Sequence, residues 1–354
     1  MNELEIGIST FAETTPINGN GRTISHAERL REIVEEIKLA DAVGLDVYGV
    51  GEHHRADYAS STPAVVLAAA ATQTKRIILT SAVSVLSSVD PVRLYQEFAT
   101  LDGLSNGRAE IMAGRGSFIE SFPLFGYDLD DYNELFTEKL DLLLHLQKHE
   151  VANWRGMFRP AIENLGIYPR PVQDELPIWI ATGGTPQSSI RAAELGLPVV
   201  FAIIGGSPLY FARIAEMYTQ AGIAAGHDPK QLKIASHSHG FIAKTEQEAV
   251  EKFYPSLAYG MNKIGKERGW APYNREAFDF ARSRDGALFV GDVNTVAQKI
   301  IDLRKNVGVT RFFLHVPVGS MLHEDVLESI RLLGEEVAPI VREEVAHWEA
   351  GQNI

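Results

Sequence analysis

Along most of the chain, short runs rich in Val and Ile alternate with longer segments in which apolar positions recur every three to four residues. Strands and helices taking turns in this way predict successive parallel β/α units. Residues 5–11 read as the first strand. In residues 25–43, Leu30, Ile33, Val34, Ile37 and Ala40 share one face, and Ser25 with Glu28 three positions later forms a capping box that opens a helix. Gly44 closes it, and residues 47–51 read as strand two. An Ala-rich helix at 63–74 leads to strand three at 77–85, apolar at nearly every position as burial on both faces requires. A helix at 91–101, strand four at 108–113 and a helix at 131–148 follow.

Residues 149–177 break the rhythm, because Trp154, Gly156, Pro160, Gly166, Pro169, Pro171 and Pro177 leave no room for a long helix. An inserted loop or hairpin is predicted there. The alternation resumes with strands at 178–181, 198–204 and 233–242 and helices at 186–195 and 208–225. A second insertion, at 245–285, is partly helical over 246–266. A helix at 294–307, a strand at 311–316 and a helix at 323–342 complete the pattern. Eight strands, each with a following helix, predict an α/β fold closed as a TIM (β/α)8 barrel, one domain over residues 1–354 with excursions at about 149–177 and 245–285.

Composition narrows the function. The 354 residues carry 33 Lys and Arg against 46 Asp and Glu, a net charge of −13, so no basic footprint for nucleic acid is expected. With 45% apolar and 22% charged residues the chain has the composition of a folded globule. Cysteine is absent, which excludes disulfides, thiolate metal sites and cysteine nucleophiles. No secretory signal pattern and no apolar run of membrane-spanning length is visible, so a soluble cytoplasmic protein with no membrane partner is the expectation.

In such barrels the site is built at the carboxyl ends of the strands. Strand two runs into Gly51-Glu52-His53-His54-Arg55, which is either a charge-paired loop or a cluster placing an imidazole, titrating near neutrality, at a pocket mouth as acid or base. Strand four runs into Gly114-Arg115-Gly116-Ser117. Glycines flanking an arginine let backbone approach an anion while the guanidinium forks onto it; the alternative is a tight turn with a surface ion pair. After strand five, Thr182-Gly183-Gly184-Thr185-Pro186-Gln187-Ser188 places glycines, hydroxyls and a proline at a helix start, where amides and the helix dipole favour an anion. Arg115 on the neighbouring strand strengthens that assignment and points to a phosphorylated cofactor. His237 and His239 share one face near the end of strand seven, and His315 ends strand eight. They are read as pocket or internally bonded groups rather than metal ligands, and no metal is assigned; a His-based metal hydrolase using them with His53 is the competing view.

Taken together, Gly51-Glu52-His53-His54, Asp90-Pro91-Val92-Arg93, Leu101-Asp102-Gly103-Leu104-Ser105-Asn106-Gly107-Arg108, Gly114-Arg115-Gly116 and Ala192-Ala193-Glu194-Leu195-Gly196-Leu197-Pro198 resemble the bacterial luciferase-like flavin-dependent monooxygenase superfamily over almost the whole chain. The resemblance implies a TIM barrel with His53 as catalytic base near the flavin. It implies Arg115 on the flavin phosphate, with Gly184, Thr185 and Ser188 in the phosphate loop. A non-proline cis peptide beneath the flavin ring would fall at Ala82-Val83. Gly114 stands where the family's luciferase has a reactive cysteine, and Gly184 and Thr185 where it has an acidic residue and a serine, so luciferase substrate and light emission are not implied.

One arginine and one helix start suit the single terminal phosphate of FMN better than a pyrophosphate. The expectation is therefore an FMN-dependent monooxygenase using reduced FMN and O2 on a small organic substrate, with Glu52, His54, His237, His239 and His315 around the substrate. A separate NAD(P)H:flavin reductase and a homodimer belong to the same expectation. A deazaflavin-dependent hydride-transfer enzyme and a non-catalytic flavin-binding protein are the alternatives. The aromatic residues of the insertions, Trp154, Phe158, Tyr168, Trp270 and Tyr273, either cap the pocket or pack on barrel helices.

Overall fold

In the computed structural model, which describes residues 4–352, eight parallel strands close into the expected barrel. They are β1 (Glu5–Thr10), β2 (Val47–Val50), β3 (Ile78–Ser81), β4 (Ala109–Gly114), β5 (Ile178–Thr182), β6 (Val199–Ala202), β7 (Ile234–Ile242) and β8 (Arg311–His315). Each pairs with its predecessor, and β1 pairs with β8 to close the ring.

Caps set the helices that pack outside. The Ser25 hydroxyl accepts from Glu28 N–H at the start of His26–Ala42, as the capping box predicts, and Asp90 accepts from Val92 and Arg93 N–H ahead of Pro91–Ser105. The conspicuous motif at 101–108 turns out to be structural. Asp102, fully buried, accepts from the amides of Ala109, Val172 and Gln173 and from the Gln173 side chain. Arg108 donates to the carbonyls of Ala71, Thr74 and Ile77. Together they lock helix end, strand start and the 172–173 turn, leaving neither side chain free for a ligand.

The floor of the barrel is closed by a buried cation. Arg311, 1% exposed, donates to Glu110 at 2.5 and 3.1 Å and to Glu5 at 2.6 Å, and lies over the Trp179 ring at 4.4 Å. Above it Met112, Trp179, Val200, Ala235 and Phe313 form a compact interior layer with Val47 and Ala82.

The hairpin alternative at 149–177 and the extent of strand seven hold, and the other details change. The apolar run at 77–85 is interrupted: β3 ends at Ser81, Ala82-Val83 is a cis peptide, and a second short stretch, Ser84–Val85, pairs with the end of β4. β7 continues three residues beyond His239 and pairs there with Phe289–Gly291, a three-residue strand too short to show as a run. The 149–177 insertion is an antiparallel hairpin, Val151–Trp154 with Ile162–Gly166. In the second insertion Glu246–Arg268 continues through Pro255, a further helix spans Arg275–Arg282, and the last helical stretch extends to Gln352 through a π-helical turn at Leu333–Val337. No helix among the described residues is long and apolar enough to cross a membrane.

Candidate active site

The carboxyl ends of the strands open onto a cavity of about 410 Å³, a size usual for small-molecule sites. Its walls are mostly apolar, with Met112, Ile180, Val200 and Ala202 from the strands and Phe11, Tyr132 and Phe136 from the segments above them. Ala82 and Val83, the two residues of the cis peptide, line it as well.

One polar set surrounds Arg115. The guanidinium projects from the end of β4, with Nη1 donating to Ser188 Oγ at 3.4 Å and its carbon 5.0 Å from the Phe136 ring centre and 5.8 Å from that of Tyr132. Its Nε is buried without a hydrogen-bond partner, and no carboxylate lies within ion-pair distance among the described residues. Ser188 sits in the first turn of Pro186–Glu194, whose N-cap Thr185 keeps its hydroxyl off the helix amides. Thr182 Oγ1, at the end of β5, is buried and unpartnered too. A cation with an unpartnered Nε, the unpartnered Thr182 hydroxyl and the start of a helix thus face the cavity together, with no carboxylate in that group. An anion such as a phosphate would satisfy this group.

Of the phosphate-loop residues expected, Gly183, Thr185 and Ser188 line the cavity. Gly184 does not. Its φ of +92° and the close approach of Phe211, 2.9 Å from where a Cβ would sit, make it the turn that lets the loop pass the next helix. Arg191, Tyr132 and Phe136 were not anticipated, because on their helices they read as surface or core positions. Arg191 is not free: it donates to Thr137 Oγ1 and lies 3.7 Å from Asp141.

The second polar set is His53, Glu52, His237 and His239. Phe11, Tyr58 and Phe118 surround the His53 ring at 4.9, 4.4 and 5.2 Å. Burial, followed by the nearby His315 and His54, pushes its pKa down to about 3. The expectation of an imidazole titrating near neutrality is therefore corrected: His53 is held in its neutral form, with one N–H and one lone pair. Glu52 is committed on both oxygens, accepting from Val85 N–H at 2.8 Å and meeting His54 Nε2 at 2.9 Å. That pairing turns His54 away, and it does not line the cavity; its ring packs edge-on against Phe125.

His315 is likewise off the cavity, fully buried between Ser9 and Glu13. The four imidazoles do not converge as metal ligands. Among the described residues the group of three potential ligand atoms within 4.8 Å of one another is Glu32, Glu36 and His323, where Arg29 already pairs with Glu36. Nor do the insertion aromatics cap the pocket: Trp154, Phe158, Tyr168, Trp270 and Tyr273 are absent from its walls. The segment after β4 packs on His53 instead, with Phe118 held between Arg55 at 4.6 Å and Arg268 at 5.3 Å.

A family model described as luciferase-like monooxygenase matches residues 4–311. The chain belongs to the luciferase-like monooxygenase family. Relatives within it include the N-acetyl-S-alkylcysteine monooxygenase of Bacillus subtilis, 30% identical over 332 residues covering 90% of this chain and 95% of that one. The F420-dependent glucose-6-phosphate dehydrogenase of Amycolatopsis mediterranei is 31% identical over 204 residues, 55% of this chain and 60% of that one. Among solved structures, a monooxygenase from Streptomyces bottropensis superposes with a TM-score of 0.81 at 26% identity, covering 95% of this chain and 99% of that one. The FMN complex of the oxygenating constituent of 3,6-diketocamphane monooxygenase from Pseudomonas putida does so at 0.73 and 21% identity, covering 95% and 98%. The chain is thus an enzyme of the luciferase-like monooxygenase family, whose relatives include an F420-dependent dehydrogenase and whose structural neighbours include an FMN complex.

Proposed function

We propose that the protein is an FMN-dependent monooxygenase, using reduced FMN and O2 on a small organic substrate. The observation that carries this is the unpaired Arg115 guanidinium, facing the cavity beside the uncapped start of Pro186–Glu194. Arg115, Thr185 and Ser188 would hold the terminal phosphate, with Gly183 leaving backbone room and Ala82-Val83 supplying an apolar wall for the ring system. FMN, when bound, supplies the electrons that activate oxygen. The fold accommodates FMN in the Pseudomonas putida neighbour and F420 in a secondary alcohol dehydrogenase, so the choice rests on the Arg115 site.

The chain's own residues then do three things. Phe11, with Tyr58 and Phe118 around His53, excludes water from the reacting end, while Tyr132 and Phe136 flank the Arg115 guanidinium. Arg115 and the helix start fix the cofactor's position, converting encounter into a held geometry. His53, neutral in its aromatic cage, accepts a proton or a hydrogen bond at its free ring nitrogen. Titration of the purified protein with FMN and, separately, with coenzyme F420 tests the proposal: saturable uptake of FMN that Arg115→Ala weakens is expected. Uptake of the deazaflavin in preference to FMN overturns it.

A further inference from the structure

A line of four buried polar side chains runs from the cavity wall into the space between β1 and β8, and the proposed chemistry uses none of them. His237, which lines the cavity, places Nε2 2.7 Å from Ser9 Oγ. Ser9 Oγ lies 3.3 Å from His315 Nδ1. His315 Nε2 lies 3.2 Å from Glu13 Oε1, and Glu13 Oε2 is buried with no partner. Ser9 and His315 are each 0% exposed, His237 5% and Glu13 4%, so water does not interrupt the line.

Each inner member has two hydrogen-bonding sites, and that ties their proton positions together. With Glu13 protonated, its O–H donates to His315 Nε2. His315 then donates from Nδ1 to Ser9, Ser9 donates to His237 Nε2, and His237 carries its proton on Nδ1. With Glu13 ionised every bond reverses, and His237 Nδ1 is bare. A mixed arrangement, with both imidazoles donating to Ser9, strands a buried O–H without an acceptor.

We propose that Glu13, His315 and Ser9 form a buried relay that sets the tautomer of His237, so that His237 offers the cavity a donor at Nδ1 when Glu13 is protonated and an acceptor there when Glu13 is ionised. Between the two states one proton leaves at His237 Nδ1, the protons of Ser9, His315 and Glu13 each move one bond along, and the negative charge appears on Glu13. No imidazole becomes charged at either end. This separation matters because His237 and His315 are held far from protonation by burial, so neither stores a proton of its own.

The groups facing the line set where it switches. Burial, reinforced by the Glu36 carboxylate, pushes Glu13 up to about 8 against the pull of its own and Phe11's backbone amides and of Arg29. Tyr48 and Tyr58 also feel Glu13, Arg29 acts on His315 as well, and His239 and His315 act on His237. The midpoint therefore falls within the range in which an enzyme works. Which ligand atom takes the proton rests on the flavin proposal; the relay itself does not.

Imidazole 15N NMR of the cofactor-free protein between pH 6.5 and 9.5 tests it, since protonated and bare ring nitrogens resonate far apart. His237→Gln and His315→Gln assign the signals. We expect both imidazoles to exchange tautomer with one shared midpoint near pH 8, Ser9→Thr to preserve this, and Ser9→Ala to abolish it at His237 while His315 still responds. Should Ser9→Ala fold poorly, Glu13→Gln serves in its place and must remove the transition from both rings. A His237 tautomer constant across the range in the parent protein, a His237 transition that survives Ser9→Ala, or a transition at either ring that survives Glu13→Gln overturns the relay. FMN uptake plays no part in this readout, so failure of the flavin assignment leaves it intact.

Discussion

Gly114 at the end of β4 lies against Val83 so closely that a Cβ at position 114 would sit 2.8 Å from Val83 Cγ2. The wall formed by the cis peptide therefore depends on the missing side chain opposite it. Gly114→Val should cost about 1 to 3 kcal/mol through overpacking and push Ala82-Val83 into the cavity. FMN binding by fluorescence quenching should weaken while the far-ultraviolet circular dichroism stays that of the parent.

Removing the Arg115 guanidinium should weaken FMN by roughly 1.5 to 3 kcal/mol, the range for hydrogen bonds to a charged group. Arg115→Lys should recover only part of this, because an ammonium lacks the planar fork that spans two phosphate oxygens. Equal affinities of parent and Arg115→Ala, measured by calorimetry, would show that the phosphate sits elsewhere.

His53→Gln should reduce kcat by about 10²- to 10⁴-fold, the usual contribution of a positioned proton acceptor, without changing the affinity for FMN. Stopped-flow turnover and equilibrium binding on one preparation separate the two. A fall in affinity matching the fall in kcat assigns His53 to holding the cofactor instead.

Much of this architecture is legible in the amino-acid order and some of it is not. The barrel reads clearly because each strand is a short Val- and Ile-rich run bounded by helix caps such as Ser25 and Asp90. Phe289–Gly291 escapes because three residues make no periodicity. Arg115 stands out between two glycines, whereas Tyr132 and Phe136, which stack on it, look like ordinary positions of an amphipathic helix. Ser9 and Glu13 are equally silent: one polar residue in an apolar strand and one carboxylate in a loop acquire meaning only when β8 brings His315 between them. His54 shows the converse. In sequence it equals His53, and only the Glu52 pairing separates their fates.

Acid should destabilise the cofactor-free protein through its imidazoles. Burial, with the neighbouring His315 at the first two, holds His53, His239 and His315 at about 3. Between there and pH 6.5 the unfolded chain binds protons that the native state refuses, so stability falls as pH falls. Each such group contributes up to about 1.4 kcal/mol per pH unit. Glu13, raised to about 8, acts in the opposite sense, binding a proton in the native state from 4.5 upwards and losing that contribution as pH rises through 8. His239→Gln should flatten the midpoint of urea unfolding plotted against pH between 4 and 6; an unchanged slope would show that His239 is protonated in the native state.

The pair of Arg29 and Glu36 also bears on stability. Both are buried; burial pushes Glu36 up, but Arg29 together with hydrogen bonds from His323, Arg29 and Tyr48 holds it at about 2. Its contribution is present above pH 4.5 and is lost as pH falls through 2. Arg29→Met should cost about 3 to 5 kcal/mol by leaving a buried carboxylate uncompensated, and Arg29→Met with Glu36→Leu should cost less. Thermal unfolding of the two variants decides the order.

The plug of Arg311, Glu110 and Trp179 turns the barrel into a vessel with one neck. Anything admitted past Phe11 and Tyr132 must depart by the way it came.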